Sequence, residues 1–320
     1  MMFCILNVSF FSFHLWNTAK KFYIQPMNKV NITSYKVSEA LKLSDYSTSE
    51  DLRASDKELK KELEYTRVAL GKFQDTLYAH GKYSVLICLQ GIDTAGKDSL
   101  IREVFKDFNA RGVVVHSFKV PTELERKHDY IWRHYIALPA KGKFGVFNRT
   151  HYENVLVTRV HPAYILGEHI PGIHSVEDID QKFWDKRFEQ INNFERHIAE
   201  NGTIIFKFFL HLSKEEQRQR LLRRLALKEK NWKFSPGDLK ERKLWDKYMD
   251  CYEEAIDKTS KPHAPWYVIP ADNKKAARVI VASILLEELK KYKDVKEPEL
   301  DDEIKANLET YKKELENEKE

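Results

Sequence analysis

The chain has few cysteines, and their positions exclude several classes of protein. Its 320 residues include three cysteines, Cys4, Cys88 and Cys251. No two of them form a CxxC motif, and none pairs with histidine at the spacing of a zinc site. A sparse, odd number argues against a secreted disulfide scaffold and favours a reducing compartment, so we expect a cytoplasmic protein.

The sequence also lacks a hydrophobic run long enough to cross a membrane. The apolar segment 1–16 is too short, is interrupted by polar residues, and lacks the basic start and cleavage site of a signal peptide. We interpret Met27 as the true start and the residues before it as a gene-model extension; a degenerate signal peptide is the alternative. No later segment is suited to span a membrane, and we expect no membrane partner.

Neither sign of charge dominates the chain. The formal net charge is +5, although 32% of the residues are charged and 42% are hydrophobic. The chain as a whole is therefore no polycation, and the positions of its basic residues matter more than their sum.

No internal repeat or low-complexity tract is present. We expect an N-terminal extension over 1–44, disordered or in part a misassigned start, a domain over 45–295 with a lid near 212–245, and a charged helical tail over 296–320.

Apolar, β-favouring runs alternate with helical patterns along the central part of the chain. The predicted strands are 83–90, 113–119, 143–147, 203–209 and 266–269. The predicted helices are 97–109, 123–137, 152–159, 178–200, 214–229, 239–258 and 273–292, with one or two more within 47–80. This alternation predicts an α/β fold in which helices cover both faces of a parallel five-stranded sheet. Ligands bind such sheets beyond the carboxyl ends of the strands.

A glycine-rich loop follows the first predicted strand. Residues 91–97, GIDTAGK, match the phosphate-binding pattern G-x-x-x-x-G-K. The glycines allow a tight turn whose N–H groups face an anion, the next helix adds the partial charge of its N-terminus, and Lys97 adds a full charge. The alternative is a strand–helix turn that merely requires glycine. We expect phosphate to contact Gly91, Thr94, Ala95, Gly96, Lys97 and Asp98.

Acidic residues in this loop indicate a divalent cation. Asp98 stands where such loops usually carry serine or threonine, and Asp93 lies inside the loop. A carboxylate repels phosphate unless a cation lies between them, so Asp93 predicts bound Mg²⁺. Asp98 has an alternative role, since an acid in the first turn of a helix is stabilised by the helix dipole.

Polar residues also follow the third predicted strand. The amide oxygen of Asn148 is a possible Mg²⁺ ligand, and Arg149 can bind phosphate through two parallel hydrogen bonds. Glu153 is expected one helical turn beyond Arg149, where it would pair with that arginine or orient a water, a metal or the substrate.

A second polar cluster begins at the end of the second predicted strand. Lys119 comes first, and helical spacing would place Arg126, Asp129 and Arg133 on one face of a helix. We expect these residues to contact a nucleotide in the cleft. The alternative is an amphipathic helix whose outer face carries salt bridges.

Residues 214–243 are densely basic and carry a stripe of leucines. Such a segment is typical of a lid over a polyanion, of a nucleic-acid surface, or of a solvated helix. Because it follows a phosphate-binding core, we favour the lid. Apart from Trp232 and Phe234 the segment has no aromatic residues that could stack on bases, so we expect no nucleic-acid partner.

Several of these segments together resemble the polyphosphate kinase 2 family. The resemblance covers about residues 45–293 and is carried by GIDTAGKD and by the distinctive segments 117–162, 229–256 and 259–278. It implies a three-layer α/β/α phosphate-loop kinase fold akin to thymidylate kinase. It also implies Mg²⁺-dependent transfer of a terminal phosphoryl group from inorganic polyphosphate to AMP or ADP, with guanine nucleotides as further possible acceptors, and a dimeric or tetrameric assembly.

The resemblance also assigns roles to individual residues. Asp93 becomes the acid essential for metal and catalysis, and Lys97, Asn148 and Arg149 complete the catalytic set. Asn148 stands where members often have aspartate. The asparagine form resembles the branch that acts on both nucleoside mono- and diphosphates. Glu153 also matches that branch, in which the residue at this position is associated with acceptor choice. The lid residues that would hold polyphosphate are Arg218, Arg223, Arg224, Lys230 and Lys233. An ATP-dependent nucleoside monophosphate kinase and a nucleic-acid-binding module are the alternatives.

Overall fold

The computed structural model of the chain describes residues 30–38, 40–232 and 234–318. Its centre is a five-stranded sheet in the order β2-β3-β1-β4-β5, with every neighbouring pair parallel. The strands are β1 (Ser84–Gln90), β2 (Val113–Ser117), β3 (Phe144–Asn148), β4 (Thr203–His211) and β5 (Trp266–Pro270). The prediction of five parallel strands is confirmed, and each observed strand begins within a residue of the predicted one.

Helices surround this sheet, in chain order α1 (Asp56–His80), α2 (Lys97–Val104), α3 (Glu123–Arg126), α4 (Trp132–Tyr135), α5 (Val157–Val160), α6 (Gln181–Glu200), α7 (Lys214–Ala226), α8 (Lys228–Asn231), α9 (Pro236–Lys243), α10 (Trp245–Thr259), α11 (Lys274–Leu289) and α12 (Asp302–Asn317). No helix in the described ranges is long and apolar enough to cross a membrane.

Alternate residues of the central strand face two different apolar layers. Val85, Ile87 and Leu89 pack in a core with α1, α2 and α11. Leu86 and Cys88 face the opposite side, which α6 covers. Because successive side chains of a strand point to opposite faces, this division makes the fold a three-layer α/β/α sandwich, as predicted.

The predicted helix over 123–137 is wrong. The segment forms two short helices, α3 and α4, because Asp129 accepts hydrogen bonds from the backbone N–H groups of Ile131 and Trp132, at 2.8 and 3.1 Å. A short side chain that bonds to nearby backbone in this way competes with a continuous helix. The single helical face that was expected to join Arg126, Asp129 and Arg133 therefore does not exist.

The predicted N-terminal extension is also wrong for the part that the structure describes. The N–H of Val37 donates to Trp266 O at 2.9 Å, and the Val37 side chain is 5% exposed. Leu41 and Leu43 are buried too, and their N–H groups donate to carboxylates of α10. These apolar contacts place residues 30–38 and 40–44 within the folded body. The interpretation of residues 1–26 and of Met27 lies outside the described residues.

A fully buried ionic cluster lies behind β3. Lys207 Nζ donates to Glu195 Oε2 at 2.6 Å, to Tyr152 Oη at 2.8 Å and to Thr259 O at 2.8 Å. The other Glu195 oxygen accepts from Tyr152 Oη at 2.8 Å and lies 3.1 Å from His151 Nε2. The cluster thus ties β4 and α6 to the segment directly after β3, and it holds that segment in place.

We expect Lys207→Met to lower the free energy of unfolding by about 3–5 kcal/mol, because it leaves a buried carboxylate without its counter-charge. Adding Glu195→Gln removes that charge while keeping an oxygen for His151 and Tyr152, so the double variant should be more stable than Lys207→Met alone. Urea unfolding at neutral pH measures both values. A loss below about 1 kcal/mol for the single variant, or a double variant less stable than the single one, would contradict this account.

Candidate active site

The loop between β1 and α2 has the backbone conformation that its glycines permit. Gly91, Thr94 and Gly96 have φ values of 152°, 68° and 108°. A Cβ on Gly91 would lie 3.1 Å from Ala95 Cβ and from two atoms of Leu210. Both the left-handed backbone and this close approach favour glycine. A simple strand–helix turn and a phosphate-binding loop would require the same local geometry, so the backbone alone does not distinguish them. Residues 91–96 are called the phosphate loop below.

Lys97 turns back over this loop. Its Nζ donates to Gly91 O at 2.5 Å and to Ile92 O at 3.3 Å. Burial, and then the nearby positive charge of Arg149, lower its pKa. Lys97 therefore adds a cation to a loop whose strand–helix geometry is typical of anion sites.

Arg149 brings two acidic side chains together beside the loop. It follows β3 with φ of 61°, and its guanidinium donates to Asp93 Oδ1 at 3.0 Å and to Glu153 Oε2 at 3.3 Å. The negative charge of Glu153 raises the pKa of Arg149, and the charge of Asp93 raises it further by a smaller amount. Asp93, Arg149 and Glu153 thus form one cluster, in which the pairing of Glu153 with Arg149 is one of the two roles expected for that glutamate.

Asn148 contacts the other acid of the loop region. Its Nδ2 donates to Asp98 Oδ1 at 2.7 Å and to Ser117 Oγ at 3.4 Å. The register explains this meeting, since Asn148 pairs with Leu89 on β1 and with Ser117 on β2. Three neighbouring strands therefore end where the phosphate loop begins.

Arg220 holds the loop from behind. Its guanidinium, with a side chain 3% exposed, donates to Thr94 O and Ala95 O at 3.0 Å each. It also donates to Ala271 O at 2.7 Å and Asp272 O at 2.9 Å. These bonds join the phosphate loop to the segment that follows β5. The pattern of basic residues in the sequence gives no signal for this role, because the role depends on which side of α7 is buried.

A recess opens between the phosphate loop and the α9–α10 segment; we call it the α10 recess. Its floor includes Gly91, Asp93, Arg149 and Glu153, and its wall consists of Gln217, Asp238, Glu241, Arg242, Trp245, Tyr248 and Tyr252. The wall residues were not predicted individually, although most of them lie in the distinctive segment 229–256. Burial raises the pKa of Tyr248 and of Tyr252, so both phenols stay neutral near pH 7.

The predicted nucleotide-binding residues near α3 and α4 are engaged mainly in contacts within their own segment, residues 119–133. Arg133 donates to Lys119 O at 3.0 Å and lies 3.3 Å from a Glu125 oxygen. Arg126 donates to Pro121 O at 3.4 Å, and Asp129 caps α4. None of these residues is among those that line the α10 recess, whereas Glu153 is.

The predicted polyphosphate-binding residues of the lid segment divide into several groups. Arg218 is exposed and paired with Glu215 within α7, at 2.6 Å. Arg224 pairs with Asp238 at 3.1 Å, and Arg223 is exposed on α7. Lys233 and the side chain of Lys230 lie outside the described residues. The lid segment itself is helical, as α7, α8 and α9, and it reaches the loop through Arg220 and through Gln217, which donates to Asp93 O at 3.1 Å.

A parallel sheet in this order, a glycine loop closed by lysine and an arginine–carboxylate cluster at the strand ends are typical of phosphate-binding enzymes of the α/β/α class. A family model described as polyphosphate kinase 2 matches residues 53–298. The chain therefore belongs to the polyphosphate kinase 2 family.

Individual relatives agree with this assignment. An ADP-polyphosphate phosphotransferase of Rhodopseudomonas palustris is 47% identical over 238 residues, which are 74% of this chain and 81% of that protein. An AMP/ADP-polyphosphate phosphotransferase of Meiothermus ruber is 49% identical over 220 residues, 69% of this chain and 77% of that protein. The crystal structure of polyphosphate kinase 2 from Arthrobacter aurescens TC1 superposes with a TM-score of 0.80 at 34% identity, covering 88% of this chain and 95% of that one.

We expect Arg220→Met to lower the free energy of unfolding by about 2–4 kcal/mol, because it leaves buried carbonyl oxygens of two loops without a donor. The exposed residue Arg218 provides a matched control on the same helix, and Arg218→Met should leave the unfolding midpoint within experimental error. Urea unfolding of both variants gives the comparison. Equal stability of the two variants would show that Arg220 does not hold the loop.

Proposed function

We propose that this protein transfers the terminal phosphoryl group of inorganic polyphosphate to AMP or ADP. The observation that carries the proposal is the cluster of Lys97, Arg149 and Asp93 at a phosphate loop in a chain nearly half identical to two named polyphosphate phosphotransferases. In the reaction, an acceptor phosphate oxygen bonds to the terminal phosphorus while the bond to the bridging oxygen breaks. The donor chain becomes one phosphate shorter.

The proposed roles follow from charge and position. Phosphoryl transfer requires alignment and neutralisation of charge more than a covalent catalyst. Lys97 and the loop N–H groups would bind the donor phosphates. Arg149 lies between the loop and Glu153, so its guanidinium would bind the transferred group or the acceptor phosphate through paired hydrogen bonds. The α10 recess, with Trp245, Tyr248 and Tyr252, would hold the acceptor nucleotide.

The acidic residues at the loop fit Mg²⁺. Within the described residues no group of three or more His, Cys, Asp or Glu side chains forms a metal cage. Mg²⁺ at a nucleotide site typically needs only one or two carboxylates, with substrate phosphates and waters completing its shell. Asp93 would hold the ion, with Asp98 and the amide oxygen of Asn148 beside it. Bound Mg²⁺ would neutralise charge on the phosphates.

The direct test supplies long-chain polyphosphate, Mg²⁺ and either ADP or AMP, and measures the nucleotide product by chromatography. We expect ATP from ADP, and at least a 100-fold loss of kcat in Asp93→Asn and in Lys97→Ala, since each variant removes charge from the transfer site. Circular dichroism shows whether the variants remain folded. Turnover only with ATP as donor would favour a nucleoside monophosphate kinase, and near-normal rates in either variant would contradict the assigned site.

Glu153 generates a separate prediction about the acceptor. It faces the α10 recess and neutralises part of Arg149. Glu153→Asn removes that charge, so a more highly charged acceptor should be favoured, and kcat/KM for ADP relative to AMP should rise several-fold. Parallel initial rates with the two acceptors measure the ratio. An unchanged ratio would show that Glu153 does not influence acceptor choice.

A further inference from the structure

Two recesses border the phosphate loop and share no lining residue. The α10 recess borders the first part of the loop, near Asp93 and Arg149. A smaller recess, which we call the α11 recess, borders the last part and is lined by Gly96, Ser99, Leu100, Ala277, Lys274 and Arg278, among others. In phosphoryl transfer the attacking and leaving oxygens lie roughly in line, so donor and acceptor must extend from opposite sides of the transferred group. If the acceptor occupies the α10 recess, the remaining donor extends toward the α11 recess.

Lys274 and Arg278 are one turn apart on α11 and both face this recess. A Cβ on Gly96 would lie 3.8 Å from Lys274 Cε, so the lysine side chain is in immediate contact with the loop. Among the described residues Lys274 Nζ has no hydrogen bond or ion pair, and Arg278 Nε is buried without an acceptor. The neighbouring lysine Lys275, in contrast, is exposed and paired with Asp56 on α1.

The local charge around Lys274 is predominantly positive. Arg220 and Arg223 of α7 and Arg278 of α11 surround it, and Glu216 of α7 is the acid that opposes them. Burial, and then these cations, lower the pKa of Lys274 to about 8. The N–H groups of Arg220 already donate to backbone carbonyl oxygens and to Glu216, whereas Lys274 and Arg278 retain N–H groups without an acceptor in the described part of the chain.

The recess also has the wrong shape and lining for a nucleoside. The residues recorded along it include no aromatic side chain, and its apolar part consists of alanine and leucine. An adenine ring requires a deeper, mostly apolar pocket with directed polar groups. A chain of linked phosphates requires only spaced cations along an open groove.

We propose that Lys274 and Arg278 bind successive phosphates of the polyphosphate donor on the α11 side of the phosphate loop. This inference rests on the proposed function. The effect of these two residues should therefore depend on the length of the donor chain. A short donor is held by the loop alone, whereas a long donor extends across α11.

The test measures ATP formation from ADP with tripolyphosphate and with long-chain polyphosphate, using Lys274→Met, Arg278→Met and the control Lys275→Met. For each of the first two variants we expect KM for long-chain polyphosphate to rise about tenfold, with KM for ADP and the rate with tripolyphosphate changed less than twofold. The dependence of log KM on log salt should weaken by about 0.7–0.9 per cation removed, by analogy with counterion release from nucleic acids. Lys275→Met should match the wild type.

A conservative variant separates charge from packing. Lys274→Arg keeps its charge above pH 8, so KM for long chains should rise less from pH 7 to 9 in this variant than in the wild type, where Lys274 also loses its proton. The charged groups that face Lys274 are Arg220, Arg223, Arg278 and Glu216, and they, like Lys97, are common to both proteins. Folding of each variant is checked by thermal unfolding.

The outcomes distinguish the two proposals. Absence of ATP formation from polyphosphate by the wild type overturns the proposed function. If the wild type is active but KM for both donors is the same in Lys274→Met and Arg278→Met as in Lys275→Met, this inference is overturned. The proposed function then still stands. A rise in KM for ADP instead would place these cations on the acceptor side and would equally overturn it.

Discussion

The site depends on one buried guanidinium. Arg220 donates to carbonyl oxygens of the phosphate loop and of the segment after β5, and so fixes two loops that leave the sheet two strands apart. A glycine loop on its own has many accessible conformations. Its N–H groups converge on an anion only if its carbonyl side is held, and here a permanent cation holds it. The resulting positive surroundings favour phosphate on both sides of the loop.

The rest of the site is organised by the ends of parallel strands. Asn148, Ser117 and the loop after Gln90 meet because β1, β2 and β3 run in the same direction in adjacent register. Behind them, Lys207 and Glu195 tie the segment after β3 to the core. The floor of the α10 recess is therefore built on the ends of strands, and the α9–α10 segment lines its wall.

Sequence patterns predicted the sheet well because β1, β3, β4 and β5 are apolar runs buried on both faces, as at Leu86 and Ile87. The edge strand β2 is more exposed, but its three consecutive valines favour a strand on their own. The short spacing between Arg149 and Glu153 also indicated their pairing, as one of two roles for the glutamate, whereas the contact of Arg149 with Asp93 was not predicted. Sequence patterns failed where a side chain competes with the helix, as Asp129 does, and where a segment without periodicity is held by tertiary contacts, as around Val37. Helical spacing also could not distinguish the buried Arg220 from the exposed Arg218, because only packing decides which side of α7 is covered.

The pairing of Arg149 with two carboxylates affects which anions can bind to its guanidinium. Chloride or a single inorganic phosphate would have to displace Asp93 or Glu153 from the guanidinium while contributing little charge of its own. A multiply charged ligand that arrives with its own divalent ion can compensate both acids at once. The ion pairs that orient the arginine would thereby also disfavour the binding of small anions at the site.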